Sequence, residues 1–208
     1  MTPILLLPST CSRPSGGNST SPLIRFVLIL IGSVNNAEEL PLTGLRPPWL
    51  KKLAHRKELI NVKAETLREK ATFKGDLSRR RCLVLADSFY EWTKDSKPKV
   101  PYRILLKSGE PFAFAGIWED NTGEDGNPLR TFAIITTAAN SLVSQVHDRM
   151  PVILKKDAER RWIENDITQE KLLSLLYPYP EQLMQMYEIS TRVNRTSEDS
   201  PEIIKPIR

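Results

Sequence analysis

Three polar residues stand beside strongly apolar stretches of the sequence, and their types suit acid and base chemistry. Glu91 lies in DSFYEW between Tyr90 and Trp92, and His147 lies in VSQVHDRMP. Partial burial beside aromatic rings raises the pKa of a carboxyl group, so Glu91 can donate a proton near neutral pH. A histidine can accept and return a proton in the same range. Asn61, in LINVKAET, can orient a carbonyl or a hydroxyl group through its amide.

Each of these residues also has an ordinary structural interpretation. Glu91 can pair with one of the arginines, and the His147 ring can bond a backbone carbonyl in a loop. Asn61 can cap a helix over VKAETLREK, since asparagine is common at helix N-termini. Spacing along the chain does not bring the three residues together, so both interpretations stay open on the residue types alone.

The composition favours a folded protein with an anionic partner. The chain has 208 residues and a net charge of +5, and its length suits one domain of ordinary size. Basic residues cluster at 51–57 and 79–81, which favours nucleic acid as a partner, although a solvated basic surface explains the charge equally well. The sequence contains no P-loop, GxGxxG, HExxH or GxSxG motif.

The two cysteines exclude a disulfide framework and a zinc site. Cys11 and Cys82 are too few for the first and lack the CxxC spacing of the second. Cys82 follows three arginines, which would lower the pKa of an exposed thiol. It also opens an apolar strand, so we expect it to be buried. We expect no metal and no cofactor.

Membrane insertion and secretion are not expected. The apolar run over 23–31 is short and contains Arg25, so it cannot span a bilayer. No basic segment precedes ILLL at 4–7, which argues against a secretion signal. We therefore expect a cytoplasmic protein. We also expect a monomer.

The elements that must position these residues are mostly strands. Strand composition occurs at FVLILI (26–31), LVLADSFYEW (83–92), PYRILL (101–106), FAFAGIWE (112–119), TFAIITT (131–137) and MYEIS (186–190). The turn-rich segment 120–130 predicts a long hairpin loop, and the tail is expected to be extended. Asp157 and Thr168 are predicted to cap helices over AERRWI and QEKLLSLLY.

Strands that follow one another without alternating helices predict an α+β fold with a mainly antiparallel sheet and a few peripheral helices. Residues 1–40 contain a stretch rich in Pro, Ser and Gly and differ in composition from the rest of the chain. We therefore predict an atypical segment over 1–40 and a single folded domain over 41–208.

Five segments in order resemble one protein family. They are INVKAET (60–66), RRRCLVLADSFYEW (79–92), FAFAGIWE (112–119), TFAIITTAAN (131–140) and HDRMPVIL (147–154). Together they resemble the SOS response-associated peptidase family, the abasic-site processing proteins. The segment GLRPPW (44–49) is similar to that family's Gly-Leu-x-Pro-x-Trp segment.

The resemblance implies a function. Members bind single-stranded DNA at abasic sites and form a covalent, reversible crosslink in the DNA damage response. An N-terminal cysteine, exposed when the initiator methionine is removed by self-processing, condenses with the aldehyde of the opened sugar to form a thiazolidine. By the same resemblance Asn61 helps to hold the opened sugar, Glu91 is the acid and base for ring opening, and His147 assists crosslink formation and reversal.

The resemblance also implies a DNA-binding face. Lys63 falls where the family has a phosphate-binding arginine, so the charge is kept but the bidentate fork is lost. Arg81 and Thr136 match neighbouring positions on that face. Trp49 and Trp92 can stack near the strand or pack in the core, and the two alternatives are equal.

The start of the sequence departs from the family pattern of Met-Cys-Gly-Arg, because the second residue is Thr2. A thiazolidine requires the thiol and the α-amine of one terminal cysteine. Cys11, in CSR, is a weak match that would need cleavage after Thr10 to expose its amine. The alternative expectation is a single-stranded DNA-binding relic that forms no crosslink.

Overall fold

The structure, a computed structural model, describes residues 28–31, 37–38, 42–43, 59–69, 74–123, 126–195 and 200–207. The strands in chain order are β1 Leu28–Ile31, β2 Ala37–Glu38, β3 Leu42–Thr43, β4 Asn61–Lys63, β5 Arg81–Ala86, β6 Phe89–Trp92, β7 Pro101–Leu106, β8 Phe112–Thr122, β9 Pro128–Ala138, β10 Arg149–Pro151, β11 Ile153–Leu154 and β12 Met184–Glu188. The helices are α1 Ala64–Glu69, α2 Lys74–Arg79, α3 Lys156–Ile163 and α4 Gln169–Leu173. Short 3-10 turns occupy Val143–Gln145, Glu181–Leu183, Thr191–Asn194 and Pro201–Ile204.

The described strands form two sheets. The larger has the order β10-β9-β8-β5-β1-β2, with β11 beside β8 and with β3 and β4 parallel to β9. The smaller has the antiparallel order β12-β7-β6. Apart from β3 and β4 the pairings are antiparallel, and the helices are few, so the predicted α+β class is confirmed.

The strand predicted in FVLILI is confirmed, because β1 pairs with β5 in the larger sheet. The strand β2 pairs with β1. The larger sheet therefore extends across the predicted domain boundary at residue 40.

The segment 83–92 begins in a buried strand as predicted, and its aromatic and acidic end forms a second strand in the other sheet. β5 ends at Ala86, and β6 begins at Phe89 in the smaller sheet. The Arg103 guanidinium of β7 holds the break, donating from Nε to Ser88 Oγ at 2.9 Å and from Nη2 to Asp87 Oδ2 at 3.2 Å. This break carries Glu91 away from the larger sheet.

The strand β8 is buried on both faces, which explains its continuous apolar sequence. Its small residues Ala113 and Ala115 face the cluster that contains Trp162 of α3. Its large residues Phe112 and Phe114 face the cluster under the smaller sheet, where Phe114 meets Phe89 edge to face at 5.9 Å. Because side chains alternate along a strand, the small ones lie on the face toward α3 and the large ones on the face toward the smaller sheet.

The ends of several elements differ from the sequence prediction. The hairpin strands β8 and β9 pair out to Thr122 and Pro128, so the loop is shorter than predicted. The N-cap of α3 is Lys155, which places Asp157 inside the first turn, where its charge favours the helix dipole. Thr168 caps α4 as predicted, because its side chain accepts from the Lys171 N–H, but α4 ends at Leu173.

The described parts of the tail form 3-10 turns, and not the extended chain that was expected. In the part of the chain that the structure describes, no helix is long and apolar enough to cross a membrane.

The packing of Cys82 against Gly116 gives a stability prediction. A Cβ at Gly116 would lie 2.7 Å from Cys82 Sγ, so Gly116→Ala is expected to destabilise the fold by about 1–3 kcal/mol. The substitution is expected to cost less in a Cys82→Ala background, where the sulfur is absent. Rescue is partial, because the same Cβ would lie 3.1 Å from Val84 Cγ2.

The measurement is a double-mutant cycle by urea unfolding. An equal cost of Gly116→Ala in both backgrounds would contradict the assignment of the clash to Cys82.

Candidate acid–base site

Asn61, Glu91 and His147, which are distant in sequence, line one pocket between the two sheets. The pocket has a volume of about 70 Å³. Its other lining residues are Ile134, Thr136, Arg149, Met150 and Pro151. The structure therefore brings together the three residues whose types suggested acid–base chemistry, which their spacing could not establish.

The central strand β9 positions the elements that carry Asn61 and His147. Ile134 pairs with Gly116 of β8 and also with Asn61 of β4, so β4 and β8 occupy opposite edges of β9. Beyond Ile134 the strands β8 and β9 diverge, and the segment from β10 to β11 lies between them. Its Val152 N–H donates to Ile135 O at 2.9 Å, and the Ala115 N–H donates to Val152 O at 2.9 Å. This inserted segment directly follows His147.

Glu91 enters the pocket from the smaller sheet. It is 8 % exposed, and burial raises the pKa of its carboxyl group from an ordinary 4.5 to about 8. None of the other described residues forms a hydrogen bond or an ion pair with this carboxyl. Glu91 is therefore largely protonated at neutral pH and can donate a proton.

The cause of this burial differs from the sequence interpretation. Tyr90 lies on the opposite face of β6, in a cluster with Ile189 and Val193. Neighbours in a strand point to opposite faces, so flanking aromatic residues do not desolvate Glu91. The packing of the two sheets does so. Trp92 packs against the Tyr90 cluster and donates from Nε1 to Asn194 Oδ1 at 2.9 Å, which agrees with the packing alternative for this residue.

The backbone of Arg149 holds the His147 ring. His147 Nδ1 lies 3.0 Å from Arg149 N and 3.1 Å from Arg149 O. A protonated ring donates from Nδ1 to the carbonyl, and a neutral ring either donates to the carbonyl or accepts from the N–H, depending on its tautomer. The ring can therefore keep its place in both protonation states. The loop interpretation and the proton-transfer interpretation of His147 are thus compatible.

Asn140 fixes the loop that carries His147, and the sequence interpretation did not assign it a role. Its Oδ1 accepts from the Val143 N–H at 2.9 Å, and its Nδ2 donates to Tyr179 O at 2.7 Å. The His147 N–H in turn donates to Val143 O at 2.9 Å. The sequence signal was its place at the end of TTAAN, after a buried strand.

Glu65 and Arg149 form a second structural unit that sequence reasoning missed. Arg149 Nη1 and Nη2 donate to the two Glu65 carboxylate oxygens, each at 2.9 Å, and Nη2 also donates to Thr136 O at 2.7 Å. The hydrogen bond from Arg149 lowers the pKa of the Glu65 carboxyl. Both residues stand in family-like segments, but sequence does not reveal that the segments touch.

The predicted DNA-contact residues have different positions. Lys63 is exposed at the end of β4, beside the pocket, and Thr136 is a buried residue of the pocket wall. Trp49 and Cys11 lie outside the described residues. Cys82 is fully buried as expected, and burial raises the pKa of its thiol.

The expectation that Arg81 lies on a DNA-binding face is wrong. Its side chain is buried, and its guanidinium donates to the backbone carbonyls of Leu77, Trp162 and Glu164. It therefore joins α2 and the end of α3 to β5. The basic cluster at 79–81 suggested exposure, because sequence does not show that α3 packs across this strand.

In the part of the chain described, no group of three or more His, Cys, Asp or Glu side chains is placed to hold a metal ion. The pocket brings together an acid, a histidine and an amide, and the described strands and helices form a two-sheet α+β fold.

Comparison with known proteins identifies the class. Residues 27–196 match the model of the SOS response associated peptidase (SRAP) family, and the chain belongs to that family. It is 47% identical over 164 residues to abasic site processing protein YoqW of Bacillus subtilis, covering 78% of this chain and 73% of that protein. It is 32% identical over 191 residues to abasic site processing protein HMCES of Gallus gallus, covering 79% of this chain and 56% of that protein.

A solved structure shares the fold. A protein from Bacteroides thetaiotaomicron superposes with a TM-score of 0.77 at 29% identity, covering 87% of this chain and 81% of that chain.

The buried carboxyl gives a prediction for stability against pH. Between an unfolded pKa near 4.5 and a folded pKa of about 8, folded Glu91 keeps a proton that the unfolded chain releases. Stability therefore falls as pH rises through this window, by an amount on the order of 3–5 kcal/mol at most, and the loss is complete above the folded pKa. Glu91→Gln should remove this dependence.

Urea unfolding of both proteins from pH 5 to pH 9 measures the effect. The Gln variant should gain relative stability as pH rises and level off above about 8. A constant difference between the two proteins across that range would show that Glu91 does not titrate as described.

Proposed function

We propose that this chain processes abasic sites in single-stranded DNA, with the pocket as the acid–base site for the opened sugar. The observation that carries the proposal is a buried carboxyl, a histidine and an amide in one pocket, where burial raises the pKa of the carboxyl to about 8. Membership of the SRAP family and relatives that are named abasic site processing proteins support it.

The proposed chemistry uses Glu91 in two steps and His147 in one. Ring opening of the abasic deoxyribose protonates the ring oxygen and deprotonates the C1′ hydroxyl, and Glu91 donates the first proton and takes back the second, so it ends neutral. An attacking amine then adds to the C1′ aldehyde carbon, and His147 carries a proton from its nitrogen to the oxygen to give a neutral carbinolamine. Glu91 protonates the carbinolamine hydroxyl, which leaves as water, and the nitrogen lone pair forms a protonated Schiff base. Asn61, which is exposed at the pocket edge, orients the sugar hydroxyl.

The nucleophile is the part of the reaction that the described residues do not supply. A thiazolidine forms when the thiol and the α-amine of one cysteine both add to the aldehyde and water is lost. Cys82 lies inside a buried strand, so it offers neither group. Thr10 precedes Cys11 in the sequence, so Cys11 would act only after cleavage at that bond, which we assign to self-processing.

A second candidate function is binding of abasic single strands without a crosslink. The burial of Cys82 favours it, because only Cys11 then remains as a thiol. Under both functions the DNA backbone passes over Lys63, whose exposed ammonium lies beside the pocket. The cytoplasmic location and the monomeric state stay predictions.

A crosslinking assay tests the first function. The protein is incubated with a single strand that contains an abasic site, and with the same strand carrying an intact base, and is run on a denaturing gel. We expect a covalent band with the abasic strand alone, formed at least ~100-fold more slowly by Glu91→Gln, because a general acid contributes about 10²–10⁴-fold. Glu110→Gln, at an exposed residue in the loop before β8, is the matched control.

The outcomes separate the two functions. Cys11→Ala should abolish the band and retain the preference for the lesion in a binding assay. A preference for the lesion with no band in the wild type supports the second function. No band and no preference would refute abasic-site processing.

The role of Lys63 is tested by salt dependence. Because a phosphate contact releases counterions, Lys63→Gln should reduce the slope of log K against log salt by about 0.7–1. Fluorescence anisotropy with a labelled single strand measures this slope. Lys107→Gln, at the exposed turn after β7, is the control and should leave the slope unchanged. An equal effect of the two substitutions would place the DNA elsewhere.

A further inference from the structure

The two residues that follow His147 form ion pairs with different elements. The Asp148 carboxylate pairs with Lys94, which lies just after the strand β6 that carries Glu91. The Arg149 guanidinium pairs with Glu65 in α1, which directly follows the strand β4 that carries Asn61. The segment 147–149 is therefore connected to the element that carries Glu91 and to the element that carries Asn61.

The two connections differ in the restraint that they provide. Both Arg149 terminal nitrogens reach separate Glu65 oxygens at 2.9 Å, and the Arg149 side chain is only 23% exposed. A planar fork bound in this way fixes direction as well as distance. Lys94 contributes one nitrogen on a flexible stem, and the Asp148 side chain is 80% exposed. Exposed single-contact pairs of this kind restrain little.

The Arg149 side chain has a third anchor, the Thr136 carbonyl at 2.7 Å. Its backbone is meanwhile the partner of the His147 ring, through the N–H and the carbonyl that flank Nδ1. An anchored side chain limits movement of the residue that bears it. The orientation of the Arg149 peptide, and with it the ring, therefore depends on what holds the guanidinium.

Glu65 is the acceptor that can be changed without touching the pocket. It is not among the pocket-lining residues, and its side chain is about half exposed. The hydrogen bond from Arg149 lowers the pKa of its carboxyl, so the group is charged at neutral pH. Glutamine at this position keeps the shape but replaces one acceptor oxygen with an NH₂ group, which breaks the fork.

We propose that Glu65 is a positioning residue, which acts through Arg149 to fix the orientation and the tautomer of the His147 ring. The effect on turnover rests on the proposed function, whereas the effect on the ring does not. Nε2 can accept a proton in the pocket only if the neutral ring carries its own proton on Nδ1, from which it donates to the Arg149 carbonyl at 3.1 Å. Loss of the fork lets the ring leave this partner and populate both tautomers.

The first experiment reads the ring directly. Two-bond ¹H–¹⁵N correlation spectra of the ¹⁵N-labelled protein, recorded at a pH where the ring is neutral, report the tautomer of each imidazole. His147→Gln assigns the signal, since His55 is the other histidine. The wild type should show the Nδ1–H tautomer alone, and Glu65→Gln should move both ring nitrogen shifts toward the average of the two tautomers.

Lys94→Gln is the matched comparison, because it removes the other ion pair beside the histidine. It should leave the tautomer pattern of the wild type. An unchanged ring in Glu65→Gln, or an equal change in both variants, would overturn the proposal. If Glu65→Gln does not fold, Arg149→Lys replaces it, since this substitution keeps the charge and loses the fork; a wild-type ring pattern in that variant would overturn the proposal as well.

The second experiment reads the reaction with abasic single-stranded DNA under single-turnover conditions. Glu65→Gln should lower the rate constant at saturating DNA about tenfold and leave the half-saturating DNA concentration within about twofold. A rise in that concentration at an unchanged rate would overturn positioning in favour of a binding role. If the wild type has no activity on this DNA, the proposed function fails, and the ring spectra alone decide the role of Glu65.

Discussion

The divergence of β8 and β9 beyond Gly116 and Ile134 is the constraint on which the pocket depends. Two diverging strands leave backbone N–H and carbonyl groups without partners, and such groups are costly when buried. The segment from β10 to β11 occupies the gap, and Val152 bonds to both strands. Since this segment begins just after His147, the hydrogen bonds that complete the sheet also place the histidine.

Backbone hydrogen bonds at the opposite edge of β9 place Asn61. Parallel pairing with β4 sets Asn61 beside Ile134, two residues from the pairing of Thr136 with Pro151. The smaller sheet then covers the pocket, because the break at Asp87 and Ser88 sends β6 out of the larger sheet. Backbone pairing with β9 thus places Asn61 and His147, and packing of the smaller sheet on the larger places Glu91.

Two buried ionisable side chains differ in whether hydrogen-bond partners satisfy their charge. Arg81 donates to three backbone carbonyls near the ends of α2 and α3, so its buried charge is satisfied and holds helices in place. Glu91 has no such partner among the described residues, and its proton affinity rises instead. A carboxyl kept neutral at the expense of stability is typical of a functional site and has no evident structural use here.

The sequence was informative where local rules act and less so where distant elements meet. Alternation and apolar composition predicted β7, β8, β9 and β12, and threonine chemistry predicted the cap at Thr168, because each depends on near neighbours. Residue types selected Asn61, Glu91 and His147 as candidates, and the structure brings the three into one pocket.

The failures share one physical cause, since the deciding partner lies far along the chain. The burial of Arg81 depends on α3, whose carbonyls lie more than 80 residues away. The burial of Glu91 depends on packing between sheets and not on its flanking aromatic residues. Likewise, the fork between Glu65 and Arg149 joins residues separated by 84 positions, and no local pattern reveals it.

A crystal structure with single-stranded DNA that contains a tetrahydrofuran abasic analogue would show directly whether the pocket binds the abasic sugar. The distances from the abasic sugar to the Asn61 amide, the Glu91 carboxyl and the His147 Nε2 are the quantities to measure. We expect the sugar to lie in the pocket, within hydrogen-bonding distance of Glu91 and of at least one of Asn61 and His147. An ordered lesion bound on another face of the protein, with the pocket empty, would contradict it.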